Sequence, residues 1–239
     1  ICACLVGSEM CIRDRAAYYA KQMGVPINKL ICASNENKVL FDFFRTGTYD
    51  KNREFVLTSS PSMDILISSN LERLIYTIAG QDGQKNAELM DALKSSGAYE
   101  ITKEMKAKLD DFVGGYATEE QTAQAIHDTY KRTGYVMDTH TAVASCVCAQ
   151  YREESGDETK CLIASTASPY KFVGSVMRAI DAEYAGRDEF ELVDELEKLS
   201  QVAIPNAVKE IRDAKILHTR ECDADKMKET VKEILEIEV

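Results

Sequence analysis

The 239-residue sequence predicts an α/β fold, and three observations predict it. Leu30–Ala33 and Cys161–Ala164 are short, unbroken apolar runs, the pattern of strands buried on both faces. Each run passes through polar turn residues into a helical pattern, a strand–loop–helix rhythm rather than an all-β one. Glycines then stand where those helical patterns stop, at Gly24, Gly47 and Gly134.

Taken in order, Ala16–Met23 reads as the end of a helix, stopped by Gly24 and then Pro26. After the Leu30–Ala33 strand, Ser34-Asn35-Glu36-Asn37 supplies turn and cap chemistry for a helix over Val39–Arg45. Met63–Ile67 is apolar, and Asn70–Tyr76 is helical. Residues 82–132 place Leu89, Leu93, Met105, Leu109 and Phe112 at helical spacing among charges. This predicts two or three peripheral helices around a break at Gly114-Gly115. A helix over Ala123–Thr133 precedes Tyr135-Val136-Met137 and then Asp138-Thr139-His140-Thr141, where the next helix begins. The Cys161–Ala164 strand leads through Ser165–Phe172 into a helix reaching Ala179. From Glu189 the tail is acidic and helical, with Pro205 as a helix start, Ile216-Leu217 as a short strand remnant and Met227–Ile234 as a last amphipathic stretch.

A net charge of −11 repels nucleic-acid phosphates and anionic lipid, so neither is an expected partner. The same charge leaves an anionic metabolite open, because backbone N–H groups can hold one locally. The longest apolar run, Ala142–Ala149, is far short of the roughly 20 residues that span a bilayer. Eight cysteines show no zinc-site C-x-x-C spacing, and His127 and His218 lack partners at metal-ligand spacing, so no metal is assigned. Reduced thiols in a cytoplasm are the expectation.

The first fifteen residues stand apart. Leu5–Arg15 resembles a translated sequencing-adapter string, and the chain begins at Ile1 rather than Met. Residues 1–15 are therefore expected to be a non-native assembly scar, with the native fold beginning at Ala16.

Two strand-to-helix junctions carry candidate chemistry, since ligands of open α/β sheets bind beyond the carboxyl ends of strands. Ser165 and Thr166 sit at one such edge, where a hydroxyl can meet a ring nitrogen or a phosphate. They serve equally as turn caps before Pro169, together with Ser168, and from spacing alone capping is the simpler reading. Asp138 and Thr141 bracket the other helix start, and both residue types make good N-caps. His140 between them suits acid–base work or a packed, hydrogen-bonded role.

Beyond these patterns, several strings resemble threonine synthase of the longer, fungal and enterobacterial type. They are Tyr18-Tyr19-Ala20-Lys21, Leu30–Asn37, Asp42–Gly47, Ser60–Arg73, Gly134-Tyr135 with Asp138–Val143, and Ser165–Phe172. The likeness is collinear from Ala16 to the carboxyl terminus. Thr139, Ser168 and Tyr170 depart from the usual Pro, His and small residue of those motifs.

The resemblance implies a part of the fold-type-II pyridoxal-phosphate (PLP) architecture, the tryptophan synthase β-like fold, with peripheral helices. It implies a carbon–oxygen lyase that converts O-phospho-L-homoserine and water into L-threonine and phosphate. It places Thr166 beside the pyridine nitrogen, with Ser165 adjacent, and sets Asp138 and His140 near the substrate pocket. The family's cofactor lysine lies upstream of every motif present here, so no catalytic residue is assigned within the chain. A glycine- and asparagine-rich phosphate loop is expected immediately before Ala16, and the polypeptide is expected to be a carboxy-terminal fragment, inactive alone. Another fold-type-II lyase, or a non-catalytic α/β binding domain, stays open as an alternative.

Overall fold

The computed structural model describes residues 2–5, 10–165 and 167–237, with side chains from Ala16 onward. Its centre is a four-stranded parallel sheet in the order β5-β2-β1-β6. The strands are β1 (Cys2–Leu5), β2 (Leu30–Ser34), β5 (Phe112–Tyr116) and β6 (Cys161–Ile163). Every residue of β2 is buried, as expected of an inner parallel strand whose two faces are both covered.

Helices α1 (Met10–Gln22) and α2 (Val39–Thr46) follow β1 and β2. Gly47 ends α2 in the left-handed region at φ 84°, where its N–H donates to the Phe43 carbonyl. A short antiparallel pair, β3 (Thr48–Asp50) with β4 (Ala98–Glu100), lies outside the main sheet. Between them run α3 (Leu71–Ile78) and α4 (Gly83–Ser95), and α5 (Lys103–Ala107) leads into β5. Then come α6 (Glu119–Thr133), α7 (Thr139–Ser155), α8 (Val173–Ile180) and α9 (Glu189–Ser200).

Residues 82–132 correct one expectation. They are helical in part, but they also contain β4 and the sheet strand β5, and Gly114-Gly115 lies inside β5 rather than at a break. Close packing explains the glycines. Successive residues of a strand face opposite sides of the sheet. A Cβ on Gly114 would stand 3.0 Å from the Phe41 carbonyl oxygen of α2, and one on Gly115 would stand 2.3 Å from Val147 Cγ1 of α7. The two helices therefore cover opposite faces, and each presses onto bare backbone. Gly115→Ala is expected to destabilise by about 1–3 kcal/mol, because β-branched Val147 cannot swing clear. Gly83→Ala, with nothing within 4 Å of the added methyl, serves as the control in the same urea titration.

The backbone of residues 2–5 runs between β2 and β6 in this sheet. A parallel ladder is built from main-chain groups and accepts many side chains. The placement thus describes the path of the backbone and leaves the origin of residues 1–15 as it stood.

Helix α7 explains the apolar run of Ala142–Ala149. Its buried residues extend from Thr139 through Ala144 and include Val147 and Cys148, because the helix packs across β1, β2, β5 and β6. A helix apolar on nearly all sides belongs inside a domain.

Residues 204–239 form a separate compact unit with α10 (Asn206–Arg212) and α11 (Met227–Ile234). Pro205 stands immediately before α10, as a helix start should. Ile216-Leu217, expected as a strand remnant, is neither strand nor helix and is exposed, which corrects that expectation. It has no strand partner, and strand geometry is stable only in a ladder. Among the described residues no helix is long and apolar enough to cross a membrane.

Candidate functional site

Strand order locates the site before any side chain does. From β1 the chain moves to β2 on one side and reaches β5 beyond it, whereas β6 joins on the other side of β1. The order reverses between β1 and β6, and ligands of doubly wound sheets bind in the crevice beyond the carboxyl ends at such a point. The end of β6 delivers Ser165 there.

Ser165 is held from behind by the first turn of α7. Asp138 is the N-cap of that helix, and its Oδ1 accepts the N–H groups of His140 (2.9 Å) and Thr141 (3.1 Å). The Thr141 hydroxyl lies in short contact with Asp138 Oδ2 and 2.8 Å from the Ser165 hydroxyl. Thr141 has one hydroxyl hydrogen and cannot donate to both. The carboxylate only accepts, so it takes that hydrogen, and Ser165 donates to Thr141 in turn. Ser165 is exposed, so its oxygen lone pairs remain open to a ligand at this strand end.

Asp138 is 1% exposed, and burial pushes its carboxyl pKa up. The bonds from His140 and Thr141 outweigh that effect and hold it below the usual carboxylate value. His140 is also buried. Its Nε2 accepts the Ser62 N–H at 3.3 Å, which assigns the proton to Nδ1, 3.3 Å from Asp138 Oδ1. The Phe172 ring packs at 5.2 Å between centroids. Both imidazole nitrogens thus face protein partners, an arrangement suited to positioning the 60–64 segment against α7.

A second network closes the end of β2. The Asn35 side-chain amide reaches Asp64 Oδ1 at 2.7 Å and Thr58 Oγ1 at 2.8 Å, and its oxygen accepts the Asn37 N–H at 3.0 Å. Asn37 Nδ2 donates to the Val56 carbonyl and to Asp64 Oδ1. Asn35, Asn37 and Ser60 are all buried. Buried amides of this kind persist only when fully paired, so the network fixes the loop of residues 56–64 over the sheet. A cavity of about 280 Å³ adjoins it, lined by Ser59, Glu119, Thr139, Ser175 and Arg178 among others, with both signs of charge on its walls.

Of the residues singled out from the sequence, Asp138, His140 and Ser165 meet in one network. Thr166 lies outside the described residues. Thr141, considered from sequence only as a cap, is the link between Asp138 and Ser165. Ser62, whose main chain meets His140, had a sequence signal only in belonging to a quoted motif. Among the described residues no cluster of three His, Cys, Asp or Glu side chains is arranged to hold a metal.

The sequence and the fold are similar to those of known proteins. Residues 141–222 match the family described as threonine synthase, C-terminal. The chain carries a threonine synthase carboxy-terminal region. It is similar to threonine synthase-like 1 of Homo sapiens, 45% identical over 167 residues that cover 69% of this chain and 22% of that protein. The fold is similar to the crystal structure of threonine synthase from yeast, with a TM-score of 0.79 and 28% identity over 99% of this chain and 47% of that one. It is similar also to the PLP-bound threonine synthase from Brucella melitensis, with a TM-score of 0.70 and 33% identity over 84% of this chain and 41% of that one. The chain therefore spans less than half of each of these threonine synthase relatives.

Proposed function

We propose that the full-length protein is a threonine synthase that uses PLP to convert O-phospho-L-homoserine and water into L-threonine and phosphate in the cytoplasm. The observation that carries this reading is the Asp138–Thr141–Ser165 relay at the strand-order reversal of a threonine synthase-like sheet. The donor set fits the cofactor. This strand end offers hydroxyl groups, while the nearby carboxylate of Asp138 is buried and consumed by its own helix. Ser165 spends its hydrogen on Thr141, so the neutral hydroxyl donor to a pyridine ring nitrogen that is not obliged to be protonated is that of Thr166.

Ser165 and Thr166 would hold the ring end of the cofactor, with Thr166 beside the nitrogen. When bound, PLP supplies the electron sink for carbanions of the substrate. Asp138 and Thr141 fix the direction of the Ser165 hydroxyl. His140 borders the substrate pocket and holds Ser62 in place through Nε2. The adjoining cavity, with Arg178 and Glu119 on its walls, has the mixed charge that a phosphorylated amino acid requires.

The test is product analysis with the full-length protein, PLP and O-phospho-L-homoserine. Threonine and inorganic phosphate appearing together support the proposal. A different product favours another fold-type-II lyase, and failure of the full-length protein to bind PLP favours a non-catalytic domain. Thr166→Val is expected to lower kcat/KM about tenfold, the equivalent of one lost hydrogen bond of about 1.4 kcal/mol. The 239-residue polypeptide alone is expected to give no threonine, since the motifs it carries do not include the cofactor lysine. Threonine formation by it would overturn that assignment.

A further inference from the structure

The two elements that meet at the Thr141–Ser165 contact meet again at their far ends, through sulfur. Cys148 on α7 and Cys161 at the start of β6 are both reduced, and Cys161 is hydrogen-bonded to Cys148. The spacing agrees with the first contact. Thr141 and Cys148 are two helical turns apart, roughly 10 Å along α7, on one face. Cys161 and Ser165 are four residues apart, roughly 13 Å along an extended chain. The two segments therefore run side by side in opposite directions, pinned by hydroxyls at one end and by thiols at the other. Cys148 is 5% exposed, whereas Cys161 is half-buried and packs against the same core cluster.

We propose that Cys148 and Cys161 form a reversible disulfide that ties α7 to β6, with a low-molecular-weight disulfide such as glutathione disulfide as oxidant. The chemistry proceeds in two exchanges. The thiolate of the more accessible Cys161 attacks glutathione disulfide and forms a mixed disulfide, releasing one glutathione thiolate. The thiolate of Cys148 then attacks the Cys161 sulfur, breaks the bond to glutathione and releases the second thiolate. Two protein thiols lose two electrons and two protons, and one glutathione disulfide becomes two thiols.

The surroundings favour a Cys148 thiolate in the reduced pair. The hydrogen bond from Cys161, opposed by burial and aided by the nearby Arg152 guanidinium, lowers its thiol pKa to about 7. Once glutathione occupies the Cys161 sulfur that hydrogen bond is gone, and the Arg152 guanidinium is what still favours a Cys148 thiolate for the second exchange. Cys146, two residues earlier, has its pKa raised by burial and is not activated in this way. A covalent bond here would remove the freedom of α7 to shift against β6, two turns from the residues that orient Ser165.

The experiment uses the 239-residue chain, oxidised with glutathione disulfide at neutral pH, quenched in acid, alkylated and mapped by peptide mass spectrometry. A parallel sample is oxidised in strong denaturant. The Cys148–Cys161 link is expected to exceed any other pair about tenfold in the folded sample, through proximity, and to lose that preference in denaturant. In Cys148→Ser the reaction is expected to stop at a glutathione adduct on Cys161. A map identical in folded and denatured samples overturns the proposal. So does a folded-state link from Cys161 to Cys2, its neighbour in the β1–β6 ladder, or glutathione left on Cys161 of the unsubstituted chain.

Discussion

Phe43→Ala is expected to lower the unfolding free energy by about 3–5 kcal/mol, the range for removing a buried ring without refilling its space. Phe43 is fully buried on α2 and stands at the junction of three structural units. Its ring meets Phe44 at 5.4 Å, Tyr49 of β3 at 6.0 Å and Tyr99 of β4 at 6.2 Å, each edge-on. Tyr49 and Tyr99 pair directly across the β3–β4 ladder and stack at 5.3 Å. Tyr49 cannot move inward to fill the void, because its hydroxyl donates to the Leu66 carbonyl and accepts the Ser68 N–H. Urea unfolding is the measurement, with Phe55→Ala as the control. Phe55 is 47% exposed, and its loss should stay within about 0.5 kcal/mol. A Phe43→Ala cost below that of the Gly115→Ala substitution would show that the cluster collapses around the gap.

The same contrast between buried and exposed positions decides how much of this fold was legible. The strands β2 and β6 and the helices α2, α6 and α7 announce themselves through apolar runs and stop residues. Patterns of that kind come from burial against the sheet, which leaves its period in the sequence. Strand β5 did not announce itself. Phe-Val-Gly-Gly-Tyr reads as a turn, because the signal for glycine as close approach exists only once Phe41 and Val147 are in place. At the candidate site, Asp138 as a cap was legible from its position before a helix. The link from Thr141 to Ser165 was not, since it joins residues 24 apart in sequence through the meeting of two elements. The inward orientation of His140 was hidden for the same reason. Its partner is a main-chain N–H at Ser62, and main-chain partners leave no mark on composition.

Asp138→Ala tests that concealed part, and its expected cost is about 2–4 kcal/mol. Losing an N-cap side chain costs about 1 kcal/mol, and leaving buried donors unpaired adds about 1–3 kcal/mol. Those donors are the N–H groups of His140 and Thr141 and the Thr141 hydroxyl. Asp138→Asn keeps one oxygen for the cap and is expected to cost less. The difference between the native chain and Asp138→Asn then carries a pH signature. The folded-state pKa of Asp138 is depressed, so the folded chain binds fewer protons at this group than the unfolded chain near the ordinary value of about 3.9. The stabilisation is fully present above that value and is lost as pH falls through the depressed folded pKa. Urea unfolding of both proteins should therefore give a constant gap from about pH 5 to pH 8, narrowing steadily below about pH 4. A gap that holds or widens on acidification would mean that the carboxylate is not stabilised by the first turn of α7. The orientation of Ser165 would then rest on something other than the Asp138–Thr141 relay.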